Sequence, residues 1–230
     1  MRKRKATKNP LQPVGEFLRE NTLDKLRNAE VEYTAKKAYR PLDKGNSKLE
    51  KHIFSFSLLP IVTCGRACKS CYDLKAVRQY RDVRMKRRYN TWLAVNNIPY
   101  LEAQIKDQVA RSHTLKFIRI HVGGDFFSRD YVDMWIRIAQ WVRENKPEVK
   151  IYTYTKTAHG DTLRNAGINC VASLLPDGKP NYDTKERLTA YVEEHPEYVI
   201  CPVTKKNKDV TCGTSCTHCM NKTKVLFVTH

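Results

Sequence analysis

The clearest periodicity in the chain lies between residues 115 and 155, where short alternating runs frame a longer helical one. Residues 115–122 alternate apolar with basic or polar side chains and stop at Gly123-Gly124, which predicts a strand with an abrupt end. Ser128 then stands where an N-cap hydroxyl belongs, and Asp130 suits the first helical turn. Val132, Trp135, Ile136, Ala139 and Val142 recur at helical spacing ahead of Pro147. Residues 149–155 predict a further strand and 168–175 another, with a short helical stretch over 161–166 between them. Upstream, residues 52–58 alternate and end at Pro60, which predicts the first strand of the ordered region. Residues 72–96 read as one long basic helix and 100–112 as a second. Toward the C-terminus a helix over 184–194 and a brief strand over 198–200 lead into Cys201.

Strands alternating with helices imply parallel βα units. Too few are visible to close an eight-stranded barrel. The expected fold is therefore α/β, a partial (open) TIM-like barrel of parallel βα units with a C-terminal Cys-rich metal-binding segment. Three regions follow. Residues 1–50 form a polar, basic N-terminal arm, partly ordered, with one amphipathic helix over 14–29. Residues 51–183 form the partial barrel core, and 184–230 a C-terminal helix and four-cysteine segment. Functional groups are expected at the C-terminal ends of the strands, where βα loops gather.

Composition narrows the function. Hydrophobic residues make up 41 % of the chain, enough for a core. No stretch approaches the roughly 20 consecutive apolar residues of a membrane helix, and no apolar run follows the initial MRKRK, so a soluble, cytoplasmic chain is expected. The formal charge of +18 favours polyanionic partners, nucleic acid or a nucleotide first, against the plainer reading that charge serves solubility. Arg78, Arg81, Arg84, Lys86, Arg87 and Arg88 are interrupted only by Asp82 and read as a phosphate-binding ridge. Tyr80, Tyr89 and Trp92 are interleaved and could stack on bases, although core packing accounts for Trp92 equally well.

Six of the eight cysteines fall into two triplets of identical spacing, Cys64-x3-Cys68-x2-Cys71 and Cys212-x3-Cys216-x2-Cys219. Such short spacing points to metal rather than disulfides. The first triplet follows a predicted strand directly, with Gly65 easing a tight loop. Three thiolates can hold three irons of a [4Fe-4S] cubane and leave the fourth open, whereas zinc would recruit a distant fourth ligand. The second triplet is joined by Cys201, and four thiolates can close a second [4Fe-4S] cluster or a zinc site. Cys170, alone in an apolar strand, reads as a small buried hydrophobe.

A C-x3-C-x2-C loop after the first strand resembles the signature of the radical S-adenosylmethionine superfamily. That resemblance implies a [4Fe-4S] cluster on Cys64, Cys68 and Cys71, with S-adenosylmethionine chelating the open iron. Reductive cleavage would then give a 5′-deoxyadenosyl radical that abstracts hydrogen from a nucleotide, nucleic acid or protein. The electron would come from a flavodoxin- or ferredoxin-like partner of the host. His121, Gly123, Gly124 and Asp125 at the next strand end are similar to the Gly-Gly-Glu segment that holds the cofactor's amino group there, with Asp one methylene shorter. Where the superfamily places an aromatic residue before the third cysteine, this chain has Ser70, and Tyr72 follows instead. Thr155 and Lys156 are expected at the same mouth, Lys156 as a point charge for carboxylate or phosphate. A hydrogen-bonded core role for His121 and an exposed strand-end role for Lys156 stand as alternatives. Together with Tyr152, Tyr154 and the late cysteines, these motifs also resemble a phage-encoded family, gene product eighty-eight, over roughly residues 50–225. The rival to an enzyme is a metal-stapled, non-catalytic nucleic-acid-binding protein.

Overall fold

A computed structural model describes residues 13–34, 38–44, 49–65, 71–204 and 210–228. The arm opens with α1 (Val14–Glu20) and α2 (Leu23–Asn28), two helices where the sequence predicts one. The break has a local cause: the Thr22 hydroxyl accepts from the Lys25 N–H at 3.2 Å and starts a new helix. Asn21 turns its side-chain amide back onto the Phe17 carbonyl at 2.8 Å. Phe17 and Leu26 are fully buried against Leu59 and Val77, so this part of the arm is packed onto the domain.

The main sheet contains β1 (Asp43–Lys44), β2 (Ile53–Ser55), β3 (Phe117–Ile120), β4 (Lys150–Thr155) and β5 (Asn169–Ala172), in that spatial order. β1 is antiparallel to β2, and every later neighbour is parallel. The helices α3 (Tyr72–Gln79), α4 (Arg81–Asn96) and α5 (Ile98–Ala110) connect β2 to β3. α6 (Arg129–Asn145) and α7 (Gly160–Asn165) make the next two crossovers. The expected α/β arrangement of parallel βα units is thus present. Hydrogen bonding runs beyond β2, from Phe56 N–H to Arg119 O and from Leu58 N–H to Gly123 O, each at 2.9 Å, which extends the paired segment as far as the alternation suggested.

The long basic helix predicted over 72–96 is interrupted at Tyr80, which takes an extended conformation (φ −113°, ψ 112°) between α3 and α4. The Arg84 guanidinium reaches back to the Arg78 carbonyl at 3.5 Å, satisfying a group the break leaves without a helical partner. Ser128 does cap α6, accepting from the Tyr131 N–H at 3.3 Å.

Strand alternation sorts the sheet into two faces. Phe54, Ile118, Ile120, Ile151 and Cys170 join the core made with the helices. Ile53, Phe117, Tyr152, Tyr154 and Val171 point the other way, onto the C-terminal segment. That segment holds β6 (Tyr182–Asp183), α8 (Lys185–Glu194), β7 (Val199–Ile200), α9 (His218–Asn221) and β8 (Val225–Val228). A second, parallel sheet orders them β6-β8-β7. Among the described residues no helix is long and apolar enough to cross a membrane.

Candidate functional site

The chain leaves β2 through a turn in which Ile61 takes a positive φ of 68° and its N–H donates to the Cys64 sulfur at 3.0 Å. An amide N–H on sulfur favours the thiolate, the form that ligates iron. Thr63 is buried beside it and donates to the Leu59 carbonyl at 2.8 Å. Cys71 stands at the N-cap of α3, so the cysteine loop begins at a strand end and finishes at a helix start. Cys68 lies outside the described residues. So does the side chain of Tyr72, whose backbone opens α3.

Both flanks of this loop rest on the Gly123-Gly124 turn after β3. A Cβ on Gly124, which has φ +87°, would lie 2.6 Å from the Thr63 hydroxyl and 2.7 Å from the Leu58 Cβ. A Cβ on Gly123 would collide with the Asp73 carboxylate. Asp73 sits in the first turn of α3, nearly inaccessible, and is ion-paired with Arg87 of α4. Burial is the largest influence on the Asp73 carboxyl and raises its pKa, while Arg87 and then Arg119 act in the opposite direction. Asp73 is a polar group of this site that sequence reasoning missed. The only available signal was a carboxylate two residues beyond a cysteine.

The other residues expected here are placed differently from a continued strand. β3 ends at Ile120, and His121 takes φ 62°, so residues 121, 123 and 125 do not share one face. His121 is buried among Phe126 and Tyr131, with Nε2 2.8 Å from the Tyr131 hydroxyl. Burial lowers its pKa to about 3, so the ring is neutral. The position is that of the core histidine held open as an alternative above. Asp125 is also buried, and its carboxylate is committed to the chain. Oδ1 accepts from the Thr155 hydroxyl at 2.6 Å and the Phe126 N–H at 2.9 Å, and Oδ2 accepts from the Lys156 N–H at 3.0 Å. Burial still raises the Asp125 pKa. Asp125, Thr155 and Lys156 therefore do meet at the ends of β3 and β4, as expected, with Asp125 tying the two strand ends together.

The basic ridge divides. Arg87 turns inward to Asp73. Arg81, Arg84 and Arg88 line a groove with Glu20, Glu30 and Glu32 from the arm. Beyond Asp82, acids are thus supplied to the helix across space, which a one-helix reading could not see. Arg78 lies on α3, separated from the rest by the break at Tyr80.

The late cysteines gather on the face of the sheet opposite the helices. Cys201 and Cys219 are buried with Ile53, Tyr152 and Val171, and Cys212 packs against them. Cys212 pairs with Cys216 through a β-bridge, and the Gly213 N–H donates to the Cys216 carbonyl at 2.9 Å. Cys212 feels the charge of Cys201 and Cys216, and Cys219 that of Cys201 and Cys212. Burial pushes Cys212 up to about 11 and Cys219 up to about 12, with Arg119 acting to lower both. The Tyr154 hydroxyl hydrogen-bonds the Cys219 sulfur, and the Arg119 guanidinium lies 5.0 Å from the Tyr154 ring centre. Cys170 is fully buried on the helix side, its thiol pushed up to about 12 by burial. Among the described residues, no three His, Cys, Asp or Glu side chains form a ready metal cage.

No curated protein and no solved structure matches the chain. A family model described as gene product 88 matches residues 33–224, which span the main sheet, the Gly-Gly turn and both cysteine groups. The chain belongs to the gene product 88 family.

Proposed function

We propose that the chain is a radical S-adenosylmethionine enzyme acting on a nucleotide, nucleic acid or protein. The observation that carries this reading is the seating of both flanks of the cysteine loop, Thr63 and Asp73, on the side-chain-less Gly123-Gly124 turn. The sequential order β2-β3-β4-β5 suits the proposal, being that of part of an open barrel with its βα loops at one mouth. Cys64, Cys68 and Cys71 would hold a [4Fe-4S] cluster. When bound, the cluster supplies the electron that cleaves the sulfonium of S-adenosylmethionine, after reduction by a flavodoxin- or ferredoxin-like partner.

The chain's own residues have definable tasks in that scheme. The Ile61 N–H stabilises Cys64 as thiolate. Gly123 and Gly124 let backbone approach the loop where any side chain would intrude. Asp125 fixes the ends of β3 and β4 rather than offering its carboxylate outward, and in doing so sets the position of Lys156. Anaerobic reconstitution with iron and sulfide, followed by S-adenosylmethionine and dithionite, should yield 5′-deoxyadenosine. Cys68→Ala should abolish it. A reconstituted wild-type cluster that releases none, or undiminished release from Cys68→Ala, overturns the reading.

The second reading, a metal-stapled nucleic-acid-binding protein, is favoured by the charge of +18. It ranks lower because Glu20, Glu30 and Glu32 share the groove of Arg81, Arg84 and Arg88, weakening the pull on a phosphate chain.

A further inference from the structure

The arm is pinned against α4 and leaves a groove of about 290 Å³ between them. Phe17 and Leu26 are fully buried beneath it. Trp92 Nε1 donates to the Ala29 carbonyl at 2.7 Å, and Asn96 Nδ2 to the Leu26 carbonyl at 3.1 Å. Both walls are thus fixed in place. Arg81, Arg84, Met85 and Arg88 recur at i, i+3, i+4 and i+7 of α4 and form one wall. Glu20, Asn21, Glu30, Val31 and Glu32 come from the arm and form the other. Three guanidiniums are matched by three carboxylates, so the groove has two signs of charge and no net excess.

Two buried atoms of this groove lack partners, and their needs are opposite. Asn21 is only 2 % exposed. Its Nδ2 donates to the Phe17 carbonyl at 2.8 Å, and its Oδ1 is buried with no donor. Exchanging the amide oxygen and nitrogen would set oxygen against that carbonyl, so the orphan is an acceptor. On the other wall, Arg88 Nε is buried with no acceptor. Leaving such groups unmade is costly, and in a folded chain they point to a group that completes them. A water satisfies either atom but makes no use of the charges around them. The orphan acceptor stands with carboxylates and the orphan donor with guanidiniums, so each calls for a charged partner.

We infer that this groove binds a free α-amino acid with an aliphatic side chain. The carboxylate lies on Arg88, beside Arg81, where a guanidinium fork matches its two oxygens. The ammonium donates to Asn21 Oδ1 between the arm carboxylates. Val31 and Met85 offer the side chain its apolar contact, and the Thr34 hydroxyl holds the Met85 sulfur at 3.3 Å. The volume falls at the lower limit of small-molecule sites, which run from about 300 to 1,000 Å³. A phosphate brings no donor to Asn21 and meets the glutamates. A polyamine brings no acceptor to Arg88. Only a ligand with both ends completes the two walls. The groove shares no residue with the cysteine loop or the Gly-Gly turn, and the inference does not rest on the radical reading.

The test titrates leucine, isoleucine, valine and methionine in turn into the full chain by calorimetry. At least one should bind with one-to-one stoichiometry. Its amide, which lacks the carboxylate, and its N-acetyl form, which lacks the ammonium, should each bind about tenfold more weakly or worse. Arg88→Gln, and separately Glu30→Gln/Glu32→Gln, should weaken the free amino acid by about the same factor, with urea midpoints checking the fold. Should a variant not fold, the comparison of analogues on the wild-type chain decides. Absence of binding by all of these amino acids overturns the site. Binding of the N-acetyl form or of inorganic phosphate as tight as that of the amino acid would show a plain anion site and overturns it equally.

Discussion

The two cysteine triplets share one spacing and differ in everything around it. Cys64 and Cys71 are half-buried in a tight turn between a strand end and a helix start. Cys216 and Cys219, with Cys201, are buried, and Cys219 and Cys201 belong to an apolar cluster on the sheet. The first group is flanked on both sides by residues, Thr63 and Asp73, packed closely on a glycine turn. The second is held by hydrophobic packing and by backbone bridges at the strand starts. Identical local pattern therefore gives two environments. Cys64 and Cys71 stand beside the Gly-Gly turn, whereas the late cysteines lie on the sheet face opposite the helices. Spacing alone does not distinguish the two groups, and their surroundings do.

The sharpest way to break this contrast is at Gly124. Gly124→Val adds a branched side chain at φ +87° against Thr63 and Leu58, and under the proposed function it should cost most of the iron reconstituted on the first triplet. The late cysteines, on the other face of the sheet, should keep their packing. Iron per chain after anaerobic reconstitution, with the urea midpoint as the check on the fold, measures it, and undiminished iron in a folded variant would show that the glycine turn does not support the first triplet.

Next in size is the buried pair behind the first loop. Arg87→Met leaves the Asp73 carboxylate uncompensated, which should destabilise the fold by about 3 kcal/mol, since an orphaned buried charge costs far more than its ion pair contributes. Urea unfolding reports it. Asp73→Asn/Arg87→Met should recover much of the loss, and a double variant no better than the single one would mean that Asp73 is neutral in the fold.

The smallest effect expected is in pH dependence. His121 has its folded pKa lowered to about 3 from an ordinary 6.5, so the unfolded chain takes up a proton that the native chain refuses. Its contribution to stability is therefore complete above pH 6.5 and is lost as pH falls toward 3. His121→Gln should flatten that dependence. Urea midpoints at pH 7 and pH 5 should separate less in the variant than in the wild type, and equal separation would place the acid sensitivity elsewhere.

Much of the fold was legible because its elements are periodic. The strands at 117–120 and 150–155 and the helix capped by Ser128 lie where alternation and capping chemistry put them. Two predicted helices are split, one at Asn21-Thr22 and one at Tyr80. Propensity is nearly flat at such positions, and a cap bond or a guanidinium reaching a carbonyl decides the outcome. β8 was not among the expected elements, and α9 was not legible because a helix of four residues is barely one turn and carries no helical period. Asp125 was readable as important but not in its orientation. The left-handed His121 ends the strand early, and the carboxylate then finds Thr155 and the Lys156 N–H instead of an open mouth.

By itself the sequence determined the βα alternation and the two thiol groups, because hydrophobic period and ligand spacing are local properties of a chain. The tertiary structure alone decided that the Asp73 carboxylate packs on Gly123 while that of Asp125 turns to Thr155 and Lys156, that arm acids meet the basic helix, and that the late cysteines lie on the sheet face opposite the helices. Those are contacts between residues tens of positions apart, fixed by packing, and no local pattern records them.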